Sequence, residues 1–104
     1  MAQPPHDASL TVRDNTDEGR FEAVDESGVV AGFAAYRRRE GRVVFTHTEV
    51  DPDAGQEGLG SRLVRAALDD VRSKGGSIVP LCPFVRGWID RHQDYAALVA
   101  SSRR

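Results

Sequence analysis

The sequence of 104 residues is poor in the features that define several large classes of protein. Its one cysteine excludes an internal disulfide and a cysteine-rich zinc site. No apolar run approaches the roughly 20 residues that span a bilayer, and the first nine residues lack the apolar region of a secretory signal. Aromatic residues make up only 7% and show no pattern for stacking on bases. We therefore expect a cytoplasmic domain with no metal and with neither a membrane nor a nucleic acid as its partner.

The composition that is present is typical of a folded globular domain. Hydrophobic residues make up 39% and charged residues 29%. The formal net charge is −2, divided into −5 over residues 1–30 and +3 over residues 31–104. A mildly basic second part suits a small phosphate-bearing ligand and falls short of a nucleic-acid-binding surface. The length predicts one domain over residues 10–100, after a disordered leader (1–9) and before a frayed tail (101–104).

The first half of the chain has the alternation of β-strands. Four strands joined by short turns are predicted at residues 10–13, 20–25, 29–38 and 43–50. The turn Glu40-Gly41 is typical of a tight hairpin, so these strands form an antiparallel meander. In the last and strongest of them, a period of two predicts that Phe45, His47 and Glu49 share one face.

The second half of the chain changes to helical spacing. Apolar residues at i, i+3, i+4 and i+7 predict an amphipathic helix over 61–74, which ends before Gly75-Gly76. A fifth strand over 77–81 and two short helices over 85–91 and 95–101 follow. The strand–loop–helix–strand unit requires a parallel strand pair. The predicted fold class is α/β (α+β), a mixed sheet made of an antiparallel meander, the strand–loop–helix–strand unit and short C-terminal helices.

The loop between the strongest strand and the long helix is rich in glycine. Gly58 and Gly60 allow a ligand to approach the backbone, and the helix that follows adds a partial positive charge, so the loop suits a phosphate or pyrophosphate. It is neither a Walker loop nor a Rossmann fingerprint, because no Lys-Ser/Thr follows and Leu63 occupies the place of a further glycine. The alternative is that both glycines only shape a tight turn.

These motifs together resemble the GCN5-related N-acetyltransferase superfamily, in its small single-domain branch. The resemblance covers residues 10–100 and depends on Phe45-Thr46-His47-Thr48-Glu49-Val50, Gly58-Leu59-Gly60, Pro80-Leu81-Cys82-Pro83-Phe84-Val85, Trp88, Ile89, His92 and Tyr95. It implies the acyl-CoA N-acyltransferase-like fold, with acetyl-CoA as cosubstrate and an amine, in a small molecule or a protein, as acceptor. One departure is Gly55, which stands where the larger superfamily usually has Arg or Gln.

The resemblance also implies a cofactor site. Main-chain amides would hold the pyrophosphate of acetyl-CoA, and the cofactor would contact the end of the preceding strand; these residues are Val50, Gln56, Glu57, Gly58, Leu59, Gly60 and Ser61. The pantetheine arm would lie between strands 43–50 and 77–81. Pro80, which has no N–H, helps these strands to part, or alternatively only marks the end of a strand.

Three side chains are candidates for catalysis. Acetyl transfer needs a base for the amine and a proton for the departing thiolate. His47 titrates near neutrality, and Glu49 is a base or the partner that orients His47. The resemblance implies that Cys82 faces the acetyl-CoA sulfur, where it lines the site or accepts the acetyl group covalently. The structural alternatives are a histidine bonded within the sheet, an exposed carboxylate and an inert buried thiol.

Two other functions remain open from the sequence. One is a non-catalytic protein that binds CoA or acyl-CoA, for which ligand binding without product is expected. The other is an interaction module that kept the fold and lost the cofactor, which the departure at Gly55 favours. We expect a monomer or a weak homodimer.

Overall fold

A computed structural model describes residues 10–51 and 58–100 of the chain. Five strands form one sheet in chain order: β1 (Thr11–Asn15), β2 (Arg20–Val24), β3 (Val30–Arg39), β4 (Arg42–Val50) and β5 (Ser77–Pro80). Strands β1 to β4 are antiparallel, whereas β5 is parallel to β4. The predicted mixed sheet is therefore confirmed, with strand ends shifted by one or two residues. The predicted leader and tail lie outside the described residues.

Helices cover one face of the sheet. They are α1 (Leu59–Ser73), α2 (Pro83–Arg91) and a 3-10 helix at Gln93–Leu98, where the sequence had predicted a helix over 95–101. The predicted apolar stripe of α1 is buried, at Leu59, Leu63, Val64, Ala67, Leu68 and Val71. It packs on Phe21, Tyr36 and Phe45 from the sheet, so this face is the core. None of the described helices covers the opposite face, which we call the open face. No helix in the two described ranges is long and apolar enough to cross a membrane.

The prediction that Phe45 shares a face with His47 and Glu49 is wrong. Ala35 pairs with His47 and the next residue, Tyr36, pairs with Phe45, so Thr46 is an extra residue in β4. Such a β-bulge shifts the alternation of side chains by one position. Phe45 consequently points into the core and is 1% exposed, whereas the exposed side chains of His47 and Glu49 lie on the open face.

Strands β4 and β5 part halfway along β4. Their pairing ends where Phe45 meets Pro80, and β4 continues to Val50 with no partner on that side among the described residues. Pro80 is the last residue of β5 and has no N–H, and the carbonyl of Phe45 accepts a hydrogen bond from the N–H of Cys82 instead (2.9 Å). We call the opening between the β4 segment 46–50 and Cys82 the fork.

Candidate active site

The N-terminus of α1 begins at a glycine in a left-handed conformation. Gly58 has φ +78° and ψ 7°, and no described side chain caps the helix there. The first N–H groups of a helix have no acceptor within it, and the first turn of α1 contains no acidic residue. These N–H groups, which include those of the predicted residues Leu59, Gly60 and Ser61, are suited to an anion. Gln56 and Glu57 lie outside the described residues.

Two of these positions also hold α2 against α1. The ring of Phe84 lies on Gly60, where a Cβ atom would come within 2.6 Å of the ring's Cζ atom. Trp88 donates a hydrogen bond from Nε1 to Oγ of Ser61 (2.8 Å). Gly60 is thus needed for packing, whereas a Cβ at Gly58 would meet nothing within 4 Å. At Gly58 only the backbone conformation requires glycine.

Cys82 lies in the fork, at the N-cap position of α2. Its side chain is buried, at 2% exposure, and its Sγ lies 3.3 Å from Oγ1 of Thr48 on β4. Within the part of the chain that the structure describes, the Thr48 hydroxyl is its only side-chain hydrogen-bond partner. The thiol of Cys82 therefore lies beside the β4 segment 46–50, on the core side of the sheet.

The side chains of His47 and Glu49 are hydrogen-bonded to each other on the open face of the sheet. Nε2 of His47 lies 2.8 Å from Oε2 of Glu49, and both side chains are more than half exposed. A carboxylate only accepts hydrogen bonds, so the proton lies on Nε2 and Nδ1 of the neutral ring carries a lone pair. The structure brings together His47 and Glu49 as predicted, but it places Cys82 on the other side of β4, beside Thr48.

A group of charged residues on the open face was missed by the sequence reasoning. The carboxylate of Glu22, 1% exposed, accepts hydrogen bonds from Arg13 (2.9 Å), Asn15 (3.1 Å) and Arg20 (2.6 Å). Burial by itself raises the pKa of Glu22, but the hydrogen bonds from Arg20, Arg13 and Asn15 outweigh it and hold that pKa below its ordinary value. Opposite charges at facing positions of two predicted strands were the available signal.

A shallow cleft extends from Arg20 of this group to Glu49. It has a volume of about 290 Å³ and runs across β2, β3 and β4. Arg20 lines one end and Glu49 with Asp51 the other, with Gly32 and Phe33 between them. The described residues contain no group of three or more His, Cys, Asp or Glu side chains placed to hold a metal.

A mixed sheet that forks beside a glycine-led helix is the acyl-CoA N-acyltransferase-like class of fold. The GCN5-related N-acetyl-transferase family model matches residues 20–98, and the chain belongs to this family of acetyltransferases. Its fold is similar to the solution NMR structure of a GCN5-like protein from Staphylococcus aureus, with TM-score 0.68 and 19% identity over 93% of this chain and 94% of that one. It is also similar to the crystal structure of nourseothricin acetyltransferase, with TM-score 0.45 and 18% identity over 84% of this chain and 66% of that one. Among curated proteins, no sequence matches significantly.

Proposed function

We propose that the protein binds acetyl-CoA in the fork and transfers the acetyl group to an amine that approaches from the open face. The observation that carries this proposal is the unpaired segment of β4 beyond Phe45, because it bears the His47–Glu49 pair and leads towards the N-terminus of α1. Both the cofactor's phosphates and its thioester therefore have candidate partners along one strand and the helix that follows.

The proposed cofactor contacts are mainly with the backbone. The pyrophosphate binds the N–H groups of the first turn of α1, where the helix dipole also favours an anion. The pantetheine arm runs along β4 between Phe45 and Val50, where β5 leaves the strand's edge without a partner. The thioester then lies beside Thr48 and Cys82.

Replacing Gly58 by alanine tests the phosphate site. The left-handed conformation costs a residue with a Cβ about 1 kcal/mol, and relief of that strain rearranges the N–H groups. We expect a similar loss of stability and about ten-fold weaker acetyl-CoA binding, measured by chemical denaturation and by calorimetric titration. Gly75→Ala is the matched control, because Gly75 has φ +75° at the other end of α1 and also has open space around it. Equal loss of affinity in both variants would contradict the phosphate site.

His47 is the proposed base. Its Nε2–H donates to Glu49, so Nδ1 takes the proton from the ammonium form of the acceptor. The free amine attacks the thioester carbonyl carbon, the C–N bond forms and the C–S bond breaks. The CoA thiolate leaves on the side of Cys82 and Thr48, and it takes up the proton that the attacking nitrogen loses as the amide forms, so that the CoA thiol is released.

Direct transfer is favoured over a covalent intermediate on Cys82. A cysteine nucleophile is activated by a neighbouring base, cation or helix N-terminus. Cys82 lies at the N-cap of α2, but within the described residues the only side chain that bonds its thiol is the hydroxyl of Thr48, which is not a base. We therefore propose that Cys82 lines the site of the sulfur.

The test is release of free CoA thiol from acetyl-CoA in the presence and absence of amines, with the acetylated amine identified by mass spectrometry. We expect amine-dependent release that persists in Cys82→Ala, and intact protein of unchanged mass. Binding of acetyl-CoA without thiol release would contradict the enzyme and identify a binding protein. Acetylated Cys82 in the native protein, together with no activity in Cys82→Ala, would overturn direct transfer in favour of the covalent route.

A further inference from the structure

Two alternate residues of β3, Phe33 and Ala35, lie between β2 and β4 on the open face, and Phe33 lines the cleft. Ala35 pairs with Arg20 on one side and with His47 on the other, whereas Phe33 pairs with Glu22 and with Glu49. Paired residues point to the same side of a sheet, and strands two steps apart are separated by about 10 Å. The small side chain of Ala35 therefore lies between Arg20 and His47 on this face of the sheet.

The side chain of Arg20 is fixed in place at one end of this cleft. Its guanidinium lies over the ring of Phe33, 4.6 Å from the ring's centroid, and its Nε donates to the buried carboxylate of Glu22. The same ring lies 6.1 Å from the imidazole of His47, so the Phe33 ring lies between Arg20 and His47. In the described part of the chain, Nε is the only side-chain nitrogen of Arg20 that donates a hydrogen bond. Its terminal nitrogens remain as donors for a ligand.

The charges at the two ends of the cleft are opposite. Arg13 and Arg20 together face the single carboxylate of Glu22, so one positive charge is left at the β2 end. The carboxylate of Glu49 lines the other end. A ligand that is positive at one end and negative at the other matches this arrangement.

We infer that the acceptor is an amine that also carries an anionic group, a carboxylate or a phosphate, and that Arg20 is the residue that selects it. The inference rests on the proposed function and deepens it: the ammonium group binds at Glu49 beside the base, and the anionic group binds the terminal nitrogens of Arg20. Glu22 is the positioning residue that holds Arg20 over Phe33. Guanidinium groups suit this role because two of their N–H donors match the geometry of a carboxylate or a phosphate.

The experiment uses acceptor pairs that differ in the anionic group: glycine with glycinamide, and phosphoethanolamine with ethanolamine. Binding is followed by amide NMR titration at Phe33 and Glu49, and turnover is followed by thiol release from acetyl-CoA. The variants are Arg20→Gln and Arg13→Gln. Arg13→Gln is the matched control, because it removes the same charge from the same carboxylate at a residue that does not line the cleft.

We expect at least one anionic acceptor to bind about ten-fold more tightly than its partner. Arg20→Gln abolishes this preference, because it removes the positive charge together with the terminal donors, whereas Arg13→Gln removes only the charge and reduces the preference in part. The two pairs show whether the anion is a carboxylate or a phosphate. Acetylation without a preference for the anionic partner, or a preference that survives Arg20→Gln, would overturn the inference and leave the enzyme standing. Selective binding without acetylation would support the cleft and contradict the enzyme. Binding of neither pair would also overturn the inference. The two members of each pair are compared on the native protein, so this result does not depend on whether a variant folds.

Discussion

Replacing His47 by glutamine should lower kcat for acetyl transfer about 100-fold, because a positioned base contributes at least that factor to proton transfer. Glutamine retains a hydrogen-bond donor for Glu49 but cannot take a proton from the acceptor. Binding of acetyl-CoA should not change, since the proposed cofactor contacts are with the backbone. Thiol-release kinetics at saturating acetyl-CoA and a calorimetric titration measure the two quantities separately.

The matched control for this variant is His92→Gln. His92 is the other histidine in the described part of the chain, and it stacks on Trp88 at a centroid distance of 3.8 Å and bonds to the carbonyl of that residue. Its replacement should change packing and leave kcat within about two-fold of the native value. If His47→Gln retains full activity, or if both variants lose activity equally, His47 is not the base.

Replacing Glu22 by glutamine should lower the free energy of unfolding by about 2 kcal/mol, because it weakens the charge-assisted hydrogen bonds that the buried carboxylate accepts. Two arginines would then face a neutral amide inside the sheet's polar cluster. Urea denaturation at neutral pH measures the change. Glu18→Gln is the control, because Glu18 is exposed in the turn between β1 and β2 and its substitution should cost less than about 0.5 kcal/mol.

The same carboxylate makes stability depend on pH. The pKa of Glu22 in the folded protein lies below its ordinary value of 4.5, because the hydrogen bonds from Arg20, Arg13 and Asn15 outweigh burial. A lowered pKa stabilises the folded state fully above the ordinary value, and this stabilisation is lost as the pH falls from there through the folded-state pKa. The native protein should therefore lose more stability than Glu22→Gln over this acidic range. Parallel pH profiles of the two proteins would contradict the buried cluster.

The parts of the fold that the sequence predicted depend on local patterns. The apolar spacing of α1, the turn at Glu40-Gly41 and the strand end at Pro80 are each encoded within a few residues. The bulge at Thr46 is not, because an extra residue in β4 is defined only by its pairing with β3. A strict alternation consequently placed Phe45 on the same face as His47.

The candidate site likewise has a part that local sequence patterns predict and a part that they do not. The pair His47 and Glu49 follows from a spacing of two within one strand, and Gly58 follows from its position before a helix. The cluster around Glu22 depends on side chains from two strands, and the cleft needs β2, β3 and β4 side by side. Residues that are distant in sequence can be recognised as neighbours in space only when the register of the strands is known.

The most direct test of the central claim is a titration of the protein with acetyl-CoA followed by amide NMR. The account predicts that chemical-shift changes are concentrated at Gly58 to Ser61, along β4 beyond Phe45 and at Cys82, with little change in the turn around Gly19. Changes confined to other parts of the chain, or none at millimolar acetyl-CoA, would contradict a cofactor site in the fork and leave an acetyltransferase fold that does not bind acetyl-CoA there.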